Sequence, residues 1–282
     1  MSSSSHSDSA AFPLLLSGAL PPAVLCFGAS DPTSAGGLQA DALTLASMGC
    51  HPLAVLCAVL VRDTRRVEEW FAIDDDAVVS QARAVLEDVP VRAFRIGMAG
   101  SVENLVAIAE ILSDYPEVPL VVEPGLRQFG DDADDAADDY AQALCELVLP
   151  QATLVVTDRH ELSRLGEGGE DDGGGGDAAG LLAATGAEYV LVTDVGGHGA
   201  QVVNVLHGAD GVVRTDAWER LAGQYLGARA TLASAVCAGL GRGMSVDEAV
   251  REAQAFTWQS LTDAFRPGMG QALPDRLFWA RR

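Results

Sequence analysis

The sequence predicts an α/β protein: a three-layer sandwich with a mostly parallel central sheet. Three observations lead there. Apolar runs of strand length recur along the chain, they are continuous rather than alternating, and stretches with helical spacing separate them. Continuous apolar strands are buried on both faces, so strand and helix alternate in sequence while helices cover both sides of the sheet. With 282 residues, 49% of them hydrophobic, the chain has enough apolar material for a large core.

Met1 to Ala10 is serine-rich and lacks arginine, and the apolar run Ala11 to Phe27 is broken by Pro13, Pro21 and Pro22. A secretory signal needs a basic start and a spanning helix needs about 20 unbroken apolar residues. Residues 1–20 are therefore expected to be a disordered tail, and residues 21–282 one domain. Ala23 to Phe27 (AVLCF) is the first expected strand and Gly37 to Met48 the first helix. The strand Ala54 to Val61 (AVLCAVLV) precedes the helix Asp75 to Leu86. Ala93 to Ile96 precedes the helix Val102 to Ser113, and Pro119 to Val122 precedes the helix Asp139 to Leu147. Leu154 to Thr157 and Tyr189 to Thr193 are the last expected strands, with the helix Asp177 to Thr185 between them. Two more helices, Thr231 to Leu240 and Ser245 to Ala264, run toward Pro267. Gly130 to Asp139 (GDDADDAADD) and Gly166 to Gly176 (GEGGEDDGGGG) are too polar to pack and read as solvated loops or helix approaches. The first lacks the ligand spacing of an EF-hand.

Acidic residues outnumber basic ones 40 to 18, for a net charge of −22, so nucleic acid and anionic membranes are poor partners. All 18 basic residues are arginine. That excludes a Walker lysine, a pyridoxal-phosphate Schiff base and a lysine general base. Cys26, Cys50, Cys57, Cys145 and Cys237 are widely spaced with no C-x-x-C pair, which fits free thiols and a cytoplasmic location.

Two segments are placed to carry chemistry. Gly28 to Asp41 follows the first strand and enters the first helix, at the carboxyl end of a parallel strand where ligands bind. Small residues there admit a ligand, and Asp41, one turn into the helix, either faces a pocket or is a surface residue of a tight connection. Gly223 to Ala235 is a glycine loop running into a helix of small residues, whose unpaired N–H groups suit an anion.

Together these segments resemble the hydroxymethylpyrimidine and phosphomethylpyrimidine kinases of thiamine biosynthesis, in the ribokinase-like superfamily. The resemblance runs from about Val24 to Trp279. SDPTSAGGLQAD resembles the family's opening, Val61-Arg-Asp-Thr-Arg-Arg-Val67 its Q-[ND]-T-x-x-V, and Arg95-Ile-Gly-Met98 its K-I-G-M. Arg266-Pro-Gly-Met-Gly-Gln271 and Phe278-Trp279 resemble its closing region. The resemblance implies transfer of the ATP γ-phosphate to a hydroxymethyl group or its phosphate, resting mainly on positioning and charge. It implies ATP and Mg2+ as cofactors and a pyrimidine substrate, and a homodimer is expected. By the same resemblance Gly28, Asp41, Arg62 and Met98 are expected at the substrate. Asp158, Glu161, Val195 and Gly196 are expected at the nucleotide, and Glu123 and Glu161 at the metal.

The family's G-[TS]-G-C loop, an anion hole ending in the catalytic cysteine, falls on Gly227-Ala228-Arg229-Ala230. Ala230 has no titratable atom. Arg229 either disturbs a left-handed backbone or turns its guanidinium to the phosphate. Arg62 replaces an amide that reads the pyrimidine, Glu123-Pro124-Gly125 replaces D-P-V, and Val195 stands where the family has a phosphate-facing lysine. His198 follows a glycine pair and reads as an exposed turn histidine or a ligand contact; His160 reads as part of a solvated helix start. Trp218 and Tyr225 either stack on a base or pack. Three functional readings follow: an ATP-dependent pyrimidine kinase, a degenerate homologue that binds a ligand or partner without turnover, or a metal or acidic-surface binder using the aspartate-rich segment.

Overall fold

A computed structural model of the chain describes residues 20–130, 134–166, 177–196 and 199–281. Most of the expected tail, the glycine-rich run from residue 167, and His198 lie outside the described residues. Among the described residues, one nine-stranded sheet runs in the order β3-β2-β1-β4-β5-β6-β7-β8-β9. Its parallel centre is β2 (His51–Arg62), β1 (Ala23–Ser30), β4 (Val91–Ile96), β5 (Leu120–Val122), β6 (Leu154–Asp158) and β7 (Tyr189–Thr193). These are the continuous apolar runs of the sequence, and β1 and β6 are buried over nearly their whole length. A parallel strand in mid-sheet has no solvated face, hence no polar alternation.

The edges are antiparallel: β3 (Val67–Ala72) pairs with β2, and β8 (Gln201–Gly208) and β9 (Gly211–Glu219) extend the sheet beyond β7. The sequence reading contained none of these three. β9 alternates between exposed and half-buried positions, and its Arg214 and Asp216, like Glu68 and Glu69 of β3, hide the strand from a search for apolar runs.

Helices α1 (Gly37–Ser47), α7 (Ala228–Gly241) and α8 (Val246–Thr262) cover one face. The other carries α2 (Asp75–Leu86), α3 (Val102–Ser113), α4 (Asp134–Ala143), α5 (Arg159–Gly166) and α6 (Ala178–Thr185). α7 is buried from Ala230 through Gly241 without a break. It is buried all round, and built mostly of small and apolar residues, because it is wedged between the sheet and its neighbours α1 and α8. The aspartate-rich segment is not a loop over its described part, because α4 starts at Asp134. Ala137, Tyr140, Ala141 and Leu144 are buried at helical spacing while Asp135, Asp138 and Asp139 face solvent. All the parallel strands end on one edge of the sheet, and the residues that follow Ser30, Val122, Asp158 and Thr193 are brought together there.

Candidate active site

Four of these parallel strands end in, or are followed at once by, an acidic residue: Asp31 after β1, Glu123 after β5, Asp158 closing β6 and Asp194 after β7. Each meets an arginine. Arg62 lies 3.7 Å from Asp31, Arg127 2.7 Å from Asp158 and Arg220 2.6 Å from Asp194, while Glu123 lies 3.1 Å from both Arg95 and Arg229. The strand-end acids also shape their own loops. Asp31 accepts the N–H groups of Thr33 and Gly36 and so folds the β1–α1 turn, and Asp158 accepts those of His160 and Glu161 and starts α5.

α7 enters this edge from the opposite side. Its N-cap, Gly227, has φ +86°, and a Cβ there would stand 1.7 Å from the Ala35 carbonyl oxygen. Only glycine fits both demands. The left-handed position therefore belongs to Gly227, and Arg229 is an ordinary helical residue, which corrects the expectation that its side chain disturbs the backbone. Arg276 locks the approach: its guanidinium donates to the Ser34 and Ala35 carbonyls and to Thr231 Oγ1.

Arg229 reaches from the first turn of α7 into three carboxylates. Its Nε lies 3.1 Å from Glu123, Nη1 2.6 Å from Asp158 and Nη2 2.8 Å from Glu161. Burial pushes Glu123 upward, but Arg229 and then Arg95 outweigh it and hold that carboxyl below its ordinary value. Asp158 is held low against burial by Arg229, the Glu161 N–H and Arg127. Burial dominates at Glu161: against it stand Arg229 and, more weakly, Arg127, while both other carboxylates add to it, and its carboxyl is pushed up to about 7. One of its oxygens, Oε2, is buried with no hydrogen-bond partner.

Above this cluster opens a cleft of about 750 Å³. Arg62, Arg65, Arg66, Arg127, Arg220 and Arg229 line it, six of the chain's 18 arginines, so a strongly acidic protein has gathered positive charge where an anion would sit. The far wall is aromatic. Trp218 and Trp258 lie 6.3 Å apart, with Trp218 donating to Gln254, which also holds Asn204 and Asp216. Gly125, with φ +69°, turns the chain after Glu123 so that Arg127 faces Asp158.

The structure brings Gly227, Ala228, Arg229, Ala230, Arg62, Glu123 and Asp158 to the cleft, with Trp218 and Tyr225. Asp41 is not at its surface. It is 1% exposed, accepts from Ser234 at 2.5 Å and lies 3.6 Å from the buried Arg95, because α1 turns this face toward α7 and β4. Met98 is a core residue and Gly28 lies inside β1 beneath Leu38; neither lines the cleft. Val195 and Gly196 sit in the turn after β7, outside the lining, and Thr193 and Asp194 take the place expected of them. Glu161 lies beneath Arg229 rather than in the wall. Glu123 and Glu161, expected at a metal, turn to the guanidinium instead. No group of three or more His, Cys, Asp or Glu among the described residues is arranged to hold a metal ion. His160 is exposed at the start of α5, as expected. Sequence reasoning missed Asp31, Arg127, Asp194, Arg220 and Arg276. The first polar residue after each apolar run was the available signal for the two acids.

No helix among the described residues is long and apolar enough to cross a membrane. The fold is shared with the pyridoxal kinase from Staphylococcus aureus in complex with ADP, at a TM-score of 0.81 and 21% identity over 94% of this chain and 96% of that one. With the sheet order it makes the fold ribokinase-like. In sequence, the hydroxymethylpyrimidine/phosphomethylpyrimidine kinase of Streptomyces coelicolor is 34% identical over 257 residues, 89% of this chain and 92% of that protein. The enzyme of the same name from Rhizobium meliloti is 32% identical over 88% of this chain and 93% of its own length. The family model of phosphomethylpyrimidine kinase matches residues 31–275, a span that contains the strand-end acids and the α7 cap, and the chain belongs to that family.

Proposed function

We propose that the protein transfers the γ-phosphate of ATP to hydroxymethylpyrimidine or to its phosphate, the activity for which its relatives are named. One observation carries the reading: the Gly227-capped start of α7 and the Arg229 guanidinium meet at the carboxyl ends of the parallel strands, at the floor of an arginine-lined cleft. The first N–H groups of a helix have no intrahelical partner and, with the helix dipole, suit a phosphate. Phosphoryl transfer asks mostly for positioning and charge, so the absence of a titratable atom at Ala230 leaves the greater part of the machinery in place. The Trp218–Trp258 wall, on the β9–α8 side, supports a nucleotide base there. Arg62, Arg65 and Arg66 support an acceptor carrying its own negative charge.

Mg2+ is expected with the nucleotide from the resemblance. The protein's own carboxylates do not fit it while Arg229 is in place, because Glu123, Asp158 and Glu161 each direct an oxygen to the guanidinium. Mg2+ therefore enters this reading only as a companion of the phosphates. The same proposal carries a single domain over 21–282 and a homodimer. It also carries a cytoplasmic location, supported by five free cysteines, four of them buried.

A coupled assay of ADP release, with ATP and either pyrimidine as acceptor, tests the reading. ADP formation that depends on acceptor supports it. ADP bound by calorimetry but never released from ATP with either acceptor refutes it in favour of binding without turnover. Ala230 and Val195 favour this second reading, for the base and the lysine of the family are missing there.

A further inference from the structure

Four charged side chains meet at the floor of the cleft in an order that leaves a divalent ion no place. Mg2+ needs near-octahedral oxygens at about 2.0–2.1 Å. One oxygen of each of the three carboxylates already faces an N–H donor of one guanidinium, at 2.6 to 3.1 Å. That guanidinium is carried by a helix whose next residue is buried, and its side chain is 17% exposed, so it is held at the floor rather than swinging in solvent. Arginine has five N–H donors in a fixed plane. Three directions are taken by carboxylates, and the rest of the group lines the cleft beside the opening turn of α7. Arg127 and Arg220 also line the cleft, each held by a strand-end aspartate. Glu123, Asp158 and Glu161 each face at least one of the arginines Arg95, Arg127 and Arg229, with Arg95 shared with the buried Asp41, so every carboxylate at the floor already has a guanidinium beside it.

We propose that Arg229 is the resident cation of this site: its guanidinium takes the place of a protein-held divalent metal, binds phosphate oxygens directly, and keeps metal away from Glu123, Asp158 and Glu161. The inference rests on the nucleotide reading above and deepens it. The buried, unpartnered Oε2 of Glu161 gives it a second consequence. One guanidinium cannot serve all six carboxyl oxygens, and removing it leaves the three carboxylates without their shared partner, Glu161 most of all, at a place where a metal ion would satisfy them.

The test uses the full chain and two probes, ADP by calorimetry and Mn2+ by electron paramagnetic resonance. The wild type is expected to bind ADP with an affinity that changes by less than about threefold between EDTA and millimolar MgCl2, and to take up no Mn2+ on its own. Arg229→Gly is expected to lose at least about tenfold in ADP affinity in EDTA, to recover it with Mg2+, and to gain a Mn2+ site. Arg229→Lys keeps the charge without the fork and is expected to retain ADP binding in EDTA, weakened by about three- to tenfold. Wild-type ADP affinity that collapses when Mg2+ is withdrawn overturns the inference alone, as does Mn2+ bound by the wild type as tightly as by Arg229→Gly. If the glycine variant does not fold, unchanged binding in the lysine variant and metal-dependent binding in the wild type remain the overturning results. No ADP binding under either condition removes the nucleotide reading and this inference together.

Discussion

Replacing Arg229 by methionine keeps an unbranched side chain about as long as arginine's aliphatic stem and removes the charged guanidinium. Asp158 retains Arg127 at 2.7 Å and Glu123 retains Arg95 at 3.1 Å. Glu161 keeps only a long contact from the Arg127 N–H, 3.4 Å from Oε1. The loss therefore falls on a fully buried carboxyl. Breaking a buried pair from one side costs roughly 3–5 kcal/mol, which lowers Tm by about 6–20 °C in a chain of this size. The cost must also depend on pH. In the wild type Glu161 stands near 7 against an ordinary 4.5, so the folded state binds more protons than the unfolded one between those values, and stability falls as pH rises through that window. Without Arg229 the carboxyl rises further and the fall continues above 7. Each further unit adds about 1.4 kcal/mol, so the deficit at about pH 8 should exceed that at about pH 5.5 by about 3–6 °C in Tm. Thermal unfolding followed by circular dichroism at the two pH values measures both quantities. Equal deficits, or one under about 2 °C at the higher pH, would refute the assignment of Glu161 as the group that Arg229 compensates.

Gly227→Ala forces a Cβ into the Ala35 carbonyl and should cost roughly 2–5 kcal/mol in urea unfolding. Gly186→Ala, also left-handed but with nothing within 4 Å, should cost only about 1 kcal/mol, and equal costs would contradict the clash. Restoring the family loop with Arg229→Gly and Ala230→Cys together should raise acceptor-dependent ADP release in Mg2+ by at least about tenfold; no gain in a folded double variant counts against a site disabled only at that loop. Burial pushes Cys57 up to about 12 and the half-buried Cys145 to about 11. Brief alkylation of the native protein near pH 8, mapped by mass spectrometry, should therefore mark Cys145 slowly and first, and speed up about tenfold per pH unit. Rapid labelling of Cys57 would show that its core opens.

The parallel strands and most of the helices were legible because their cause is local: a strand buried on both faces has nothing polar in it. The antiparallel edges were not, since half-exposed strands such as β9 look like any charged loop until β8 lies beside them. Residues 227–230, read as an anion-binding loop at a helix start, lie beside the strand ends, yet what Arg229 does there was not readable. Its partners Glu123 and Asp158 lie 106 and 71 positions away, and only the order of strands in the sheet unites them. Asp41 failed for a related reason. The spacing of apolar residues in α1 identifies a buried face, but not whether that face meets a ligand or, as here, Ser234 and Arg95.

The clamp made by Arg276 has a temporal consequence. It closes on Ser34, 242 positions earlier in the chain, so on the ribosome the β1–α1 turn is made long before the residue that fastens it. At ordinary elongation speeds of about 5–20 residues per second that interval is roughly 10–50 s. Throughout it a nascent chain lacks the contact that fastens this turn beside the start of α7.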